Sequence, residues 1–141
     1  MKRIFLIVFV LLMFSNSVNA ADWELIDKLE NSFVYLDRES VYAEPVNKDG
    51  SIVILDCWVK CEYKEPLENG VQEDLFQFGF KVINTMNNVY YSLRGVSSYD
   101  SEGNLVTSGN FVDSWKRLPP ESEGEVIFLK SIEEIHSRKR K

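Results

Sequence analysis

The fold is decided by two stretches of the sequence, VILDCWVKCEY from Val53 to Tyr63 and FQFGFKV from Phe76 to Val82. In the first stretch every odd position carries an apolar side chain or a thiol, and the even positions from Asp56 onward are mostly polar. Successive side chains of a strand point to opposite faces of a sheet, so a period of two indicates a strand with one buried face. Both stretches are therefore predicted to be strands of one antiparallel sheet.

Shorter apolar segments on either side are separated by residues typical of turns. Upstream, Lys28 to Asn31 predicts a first hairpin, and Asn47 to Gly50 predicts another turn because glycine accepts a positive φ. Downstream, Asn84 to Asn88 and Asp100 to Asn104 link three consecutive strands into a meander. The polar segment Leu67 to Asp74 is predicted to be an exposed connection. The predicted strands are Trp23 to Ile26, Phe33 to Leu36, Val53 to Tyr63, Phe76 to Val82, Val89 to Tyr99 and Leu105 to Phe111.

The end of the chain has the pattern of a helix. Pro119 and Pro120 end the strand pattern, and Ser122 with Glu125 has the spacing of a capping box. A helix over about 123–138 follows, and its apolar stripe is predicted to consist of Phe128, Leu129, Ile132 and Ile135. An apolar stripe must be covered, so the helix is expected against one face of the sheet. The fold class is thus α+β, a meander-like antiparallel sheet of about six strands with a C-terminal helix packed on one face.

The first 20 residues have the composition of a secretory signal peptide. Lys2 and Arg3 precede an apolar run from Ile4 to Phe14, and Val18 to Ala20 fits a small-x-small cleavage pattern. Eleven apolar residues are too few for a membrane span, which needs about 20. No Cys lies directly after the expected cleavage site, so no lipid anchor is expected. We therefore expect cleavage after Ala20 and a single mostly-β domain, residues 21–141, in the periplasm or outside the cell.

Charge and motif content restrict the function. Removing Lys2 and Arg3 takes the formal net charge from −6 to −8, which disfavours duplex nucleic acid as the main partner. The single histidine, His136, lies near the end of the predicted helix beside a basic tail, where nothing orients it for proton transfer. No phosphate loop or dinucleotide motif occurs. We expect a protein without catalysis, cofactor or metal, and a hydrolase that uses only carboxylates is a remaining alternative.

The two cysteines, Cys57 and Cys61, lie four residues apart in a predicted strand. That spacing is about 13 Å in a regular strand, whereas bridged Cα atoms lie within about 7 Å, so the pair is not expected to form an intrachain disulfide. Both are on the apolar face and are predicted to be reduced, buried thiols. An alternative is a homodimer in which two copies of this strand pair about Val59 and bring Cys57 opposite Cys61 of the second copy.

A candidate partner-binding patch consists of Trp58, Tyr90 and Arg94, which are predicted on faces opposite the clearest apolar rows. Aromatic and arginine side chains are enriched among residues that dominate binding energy. The alternative for the same residues is a second small core beneath a loop.

Several landmarks of the chain are shared with one family of exported bacterial proteins. They are Trp23 near the new N-terminus, Tyr35 to Asp37 with Ser40 and Val41, Trp58 to Tyr63, and Trp115 with Pro119 to Ser122. In these segments, over about Trp23 to Phe128, the sequence resembles the surface-adhesin E family. The resemblance implies a curved antiparallel sheet of about six strands with a terminal helix against one face.

The chain departs from that family in two respects. Family members typically tether the helix to the sheet by a disulfide, but the segment from Val82 to Asn84 and the tail contain no Cys. The family prototype carries a lipid anchor, whereas this chain has no Cys at the expected new N-terminus to which a lipid could be attached. The resulting expectation is an exported, adhesin-like, non-catalytic protein that binds a protein or matrix ligand through a sheet face or loop rim. The alternative is a periplasmic inhibitor or accessory subunit of a basic enzyme, which an acidic domain would reach by electrostatic steering.

Overall fold

The computed structural model of the protein describes residues 21–111 and 114–141. The predicted signal peptide lies outside these residues. Within them are eight strands, a short 3₁₀ turn at Arg38–Ser40 and one α-helix. The elements are β1 (Trp23–Lys28), β2 (Ser32–Asp37), β3 (Tyr42–Pro45), β4 (Ile52–Tyr63), β5 (Val71–Ile83), β6 (Thr85–Asp100), β7 (Leu105–Asn110), β8 (Lys116–Arg117) and α1 (Glu123–Lys139).

All strand pairs are antiparallel, and the order across the sheet is β1-β2-β4-β5-β6-β7. The two remaining strands are short. β3 pairs with the first half of β4 on the same side as β2, and β8 pairs with β6 on the same side as β7. The sheet is therefore six strands wide, and the predicted meander is confirmed. Short turns allow this order, and Gly50 and Gly103 supply the positive φ that two of them need, 70° and 82°.

The two decisive stretches form the centre of the core. Leu55 pairs with Phe80, Cys57 with Phe78 and Val59 with Phe76, so both apolar rows lie on the same face of the sheet. The helix covers this face, with the Phe128 ring 5.4 Å from the Phe80 ring. The predicted packing of a C-terminal helix on one face is confirmed, and we call the opposite side of the sheet the helix-free face.

The helix begins with the predicted cap. The backbone N–H of Glu125 donates to the Ser122 hydroxyl at 3.2 Å, and the N–H of Glu121 donates to the Glu125 carboxylate at 2.6 Å. Near the other end, Arg38 and Arg138 donate to the two oxygens of the Glu134 carboxylate at 3.0 Å and 3.2 Å. The Arg38 contact joins the helix to the 3₁₀ turn, and the Arg138 contact lies within the helix and holds the same carboxylate.

The apolar stripe of the helix differs from the prediction at one position. Leu129 is 55% exposed, whereas Ile127 and Ser131 are buried. Ser131 is tolerated in the interior because its hydroxyl donates to the Ile127 carbonyl at 2.8 Å. Ser131 lies beside Cys57 of β4, where its hydroxyl opposes the rise that burial gives to the pKa of the Cys57 thiol. Including Leu129 in the buried stripe was wrong.

The predicted exposed connection from Leu67 to Asp74 is shorter than expected. β5 already begins at Val71, which is 2% exposed. Asp74 is also buried, and its carboxylate accepts hydrogen bonds from the Tyr63 hydroxyl, at 2.6 Å, and from the Ser98 hydroxyl. Because two hydroxyl groups donate to its carboxylate, Asp74 is tolerated in the interior. The strand therefore begins at Val71 and not at Phe76, within the segment whose polar residues predicted a loop.

Glu134 gives the fold a dependence on pH. Burial alone would raise the pKa of this carboxyl, but the hydrogen bonds and charges of Arg38 and Arg138 outweigh it and hold the pKa below its ordinary value. The ionised form therefore stabilises the fold above the ordinary pKa, about 4.3, and this contribution is lost as the pH falls through the lowered pKa.

Glu134→Gln should lower the free energy of unfolding at pH 7 by about 1 kcal/mol, because one charged partner of two arginines is lost. The difference from wild type should shrink at pH 3, which urea titrations at the two pH values will measure. Glu133→Gln is the control, since the Glu133 side chain is 71% exposed and should matter little. An equal loss at both pH values would contradict the role of the ionised carboxylate.

Candidate functional site

The three predicted patch residues all lie on the helix-free face. Trp58 pairs with Gln77, and Tyr90 pairs with Lys81. Gln77 and Lys81 alternate with the phenylalanines of β5 that face the helix, so they and their partners lie on the opposite face. Arg94 lies against Gly79 on the same side. The structure does not gather the three into one patch. Each lies in a different part of the face and has its own neighbours.

Trp58 belongs to a groove at the β1 side of the face, which we call the aromatic groove. It encloses about 290 Å³ and is lined by Trp23, Asp37, Trp58 and Leu75. The pairing of Trp23 with Asp37 across β1 and β2 places the two tryptophans on either side of the Asp37 carboxylate. Trp58 is 39% exposed, which is unusual for so large an apolar side chain in the middle of a sheet. The groove thus presents indole surface to a ligand.

Lys60 fixes the rings at one side of this groove. Its ammonium nitrogen lies 5.1 Å from the Trp23 ring centre and 4.6 Å from the Tyr35 ring centre. Such cation–π contacts stabilise a ring arrangement by about 0.5–1 kcal/mol each at partly exposed sites. Lys60 therefore stabilises the Trp23 side of the aromatic groove.

A second depression, which we call the acidic groove, continues from the first through Leu75, a residue common to both. It encloses about 540 Å³. Its lining residues are Glu62, Gln72, Glu73, Leu75, Tyr99, Asp100, Ser101 and Gly103. Glu62 and Glu73 are directly opposite each other across β4 and β5, a like-charge pairing that destabilises a sheet. The Lys60 ammonium, 3.9 Å from the Glu62 carboxylate, offsets part of that repulsion, and a basic group on a ligand would offset more of it.

Arg94 occupies a different setting, beneath the segment that leads to β8. It forms an ion pair with Asp56, and its guanidinium carbon lies 5.7 Å from the centre of the Trp115 ring. The Lys81 ammonium lies 4.4 Å from the same ring. A Cβ atom on Gly79 would come within 2.9 Å of the Arg94 Nε, so the glycine makes room for the guanidinium. Here the alternative prediction, a small core beneath a loop, describes the arrangement better than a binding patch.

Several residues of the two grooves were not predicted from the sequence to take part in binding: Trp23 and Leu75 as lining, Tyr35 and Lys60 as support, and Glu62, Glu73 and Tyr99 in the acidic groove. A signal for some of them was present, because Lys60 and Glu62 share the even register of Trp58 in the decisive stretch. Which residues of the neighbouring strands lie beside them depends on the pairing register, which alternation alone does not supply.

Both cysteines are free thiols. Cys57 is 1% exposed, and burial raises the pKa of its thiol to about 12. Burial also raises the pKa of Cys61, which is half-buried. β4 has β2 and β3 on one side and β5 on the other, so it offers no free edge to a second copy. The alternative of a homodimer paired through this strand about Val59 was wrong.

Cys57 should resist alkylation in the native protein by several orders of magnitude relative to a free thiol, because the thiolate is the reactive form. Cys61 should react more slowly than a free thiol but faster than Cys57. Iodoacetamide labelling followed by peptide mass spectrometry measures both, and labelling in denaturant is the control in which the two react alike. A native Cys57 that reacts as fast as Cys61 would contradict the burial.

The remaining features concern the single histidine, metal-binding side chains and membrane spans. His136 is exposed on the last turns of the helix. Over residues 21–111 and 114–141, no group of three or more His, Cys, Asp or Glu side chains is arranged to hold a metal ion. No helix of the same residues is long and apolar enough to span a membrane.

No protein-family model, curated protein or solved structure matches the chain.

Proposed function

We propose that the protein is an exported, adhesin-like binding protein without catalysis, and that it recognises a protein or matrix ligand through the helix-free face. The observation that carries the proposal is the aromatic groove, in which Trp58 is exposed between Trp23 and Leu75. Tryptophans in partly desolvated pockets are the residues that most often dominate protein–protein binding energy.

The acidic groove suggests the character of the ligand. Glu62, Glu73 and Asp100 surround a depression that continues the aromatic groove. A ligand segment with an apolar side chain followed by a basic one would fill the first groove and offset the charges of the second. We therefore propose a protein ligand that presents a basic and apolar segment.

Export is part of the proposal and rests on the first 20 residues. The intact mass of the protein recovered from a periplasmic or culture-medium fraction should correspond to a chain that starts at Ala21. A recovered protein that still contains Met1 to Ala20 would remove the basis for the compartment.

Binding is tested with the mature chain as bait in affinity capture from periplasmic and extracellular extracts, and on immobilised extracellular-matrix proteins. Trp58→Ala should weaken binding to the captured ligand at least tenfold, about 1.4 kcal/mol, because the anchor ring is removed. Leu129→Ala is the control, since Leu129 is also an exposed apolar residue, at 55% against 39% for Trp58, but lies on the helix. Equal affinity of the two variants would place the binding surface elsewhere.

The second candidate function is a periplasmic inhibitor or accessory subunit of a basic enzyme. The acidic groove and the net charge of −8 favour it. This function requires a stable complex in solution whose association rate falls steeply with salt, together with a change in the activity of the captured enzyme. Binding to intact cell surfaces or matrix without such a complex favours the adhesin-like function instead.

A further inference from the structure

The two outer edges of the sheet are protected to different degrees. β1 has a bulge between Leu25 and Asp27 and carries three charged residues, features that hinder the addition of another strand. β7, with the sequence LVTSGN, also has a bulge, at Val106, but it has no charge and no proline, and five of its six residues are exposed. An uncharged and exposed edge strand is a template for pairing with another chain.

The register shows which backbone groups of β7 are available. The Phe111 N–H donates to the Arg94 carbonyl at 2.9 Å, and Ser108 lies opposite Ser97. Antiparallel pairing alternates inward and outward bonding, so the N–H and C=O groups of Ser108 and Asn110 point away from β6. Within residues 21–111 and 114–141, no strand pairs with β7 on that outer side.

We propose that two copies of the chain associate by pairing their β7 strands antiparallel about a two-fold axis at Ser108. Each Ser108 then faces Ser108 of the second copy, and Thr107 faces Gly109, within the regular segment that follows the bulge at Val106. The edge is thus complementary to itself, as an interface with two-fold symmetry requires.

Charges flanking the strand fit the same arrangement. The exposed Glu102 lies in the turn before β7, and the exposed Lys116 and Arg117 follow it in β8, along the same side of β6. Antiparallel association brings the acidic turn of one copy beside the basic pair of the other, twice. A net charge of −8 opposes association of two copies in general, so this local complementarity selects the β7 edge.

Sedimentation of the mature chain between about 10 μM and 1 mM should show a reversible dimer. Ser108→Lys places two ammonium groups at the axis and should raise the dimer dissociation constant at least tenfold. Asn31→Lys is the matched control, because it adds the same charge in the turn beside the opposite edge and should leave dimerisation unchanged. Circular dichroism of each variant verifies the fold.

A charge swap tests the register. Glu102→Lys and Lys116→Glu should each weaken the dimer, and the double variant should recover most of the loss, because the lysine then faces a glutamate of the second copy. Ser108→Cys should form a disulfide between the two copies, since residues paired at the axis have Cα atoms about 5.5 Å apart. A chain that stays monomeric throughout, or a dimer insensitive to Ser108→Lys, would overturn the proposal.

Discussion

Phe128→Ala should lower the free energy of unfolding by about 3 to 5 kcal/mol, because a buried phenylalanine leaves a cavity that the surroundings fill only in part. Phe128 is 2% exposed, and its ring lies against Phe80, which is fully buried. For a domain of this size the loss corresponds to a fall of roughly 10 to 20 °C in Tm. Thermal and urea unfolding followed by circular dichroism measure it.

The adjacent residue supplies the control. Leu129 loses a side chain of similar size in Leu129→Ala, but it is 55% exposed and should cost less than about 1 kcal/mol. Truncation before Gly124 removes both residues and leaves the core face of the sheet uncovered, so cooperative unfolding should be lost. An unchanged Tm for Phe128→Ala would show that the helix contributes little to the fold.

Gly79→Val should cost about 2 to 3 kcal/mol, since the added side chain overpacks a filled site. Its Cβ would come within 2.9 Å of the Arg94 Nε and 3.0 Å of the Cζ, and the guanidinium is held by Asp56 and by the Trp115 ring. The guanidinium has to leave its ion pair or the strand has to move. Urea unfolding measures the loss.

Gly109→Val is the control for the strand position. Nothing lies within 4 Å of a Cβ at Gly109, so the substitution should change stability by no more than about 0.5 kcal/mol. In an Arg94→Ala background the cost of Gly79→Val should fall, because the clashing group is gone. An equal cost of Gly79→Val in both backgrounds would show that the strain lies in the backbone and not at Arg94.

Much of the fold could be predicted from local pattern. Alternation along β4 and β5 identified the central strands and their buried face, and Ser122 with Glu125 identified the start of the helix. These signals are local, since one strand or one turn of helix contains all the residues involved. The short strands β3 and β8 carry no such signal, because two to four residues form a strand only where a longer neighbour offers hydrogen bonds.

The site could be predicted only in part. The faces of Trp58, Tyr90 and Arg94 follow from alternation, but their neighbours depend on register. In β6 a bulge opposite Gln77 and Phe78 adds Arg94 as an extra residue and places it over Gly79. The alternation of residues around Gly95 does not specify which residue is the extra one. The burial of Ser131 in place of Leu129 likewise depends on how closely the helix approaches Cys57.

The order of elements along the chain governs when the domain can finish folding. Each strand from β4 to β7 pairs with the next one synthesised, so the meander can grow as the chain emerges. The helix arrives last, and its contact between Glu134 and Arg38 joins residues 96 positions apart. Until then the phenylalanines of β5 have no cover. The last segment therefore acts as a completion step, and a nascent chain lacking it is a target for chaperones and proteases.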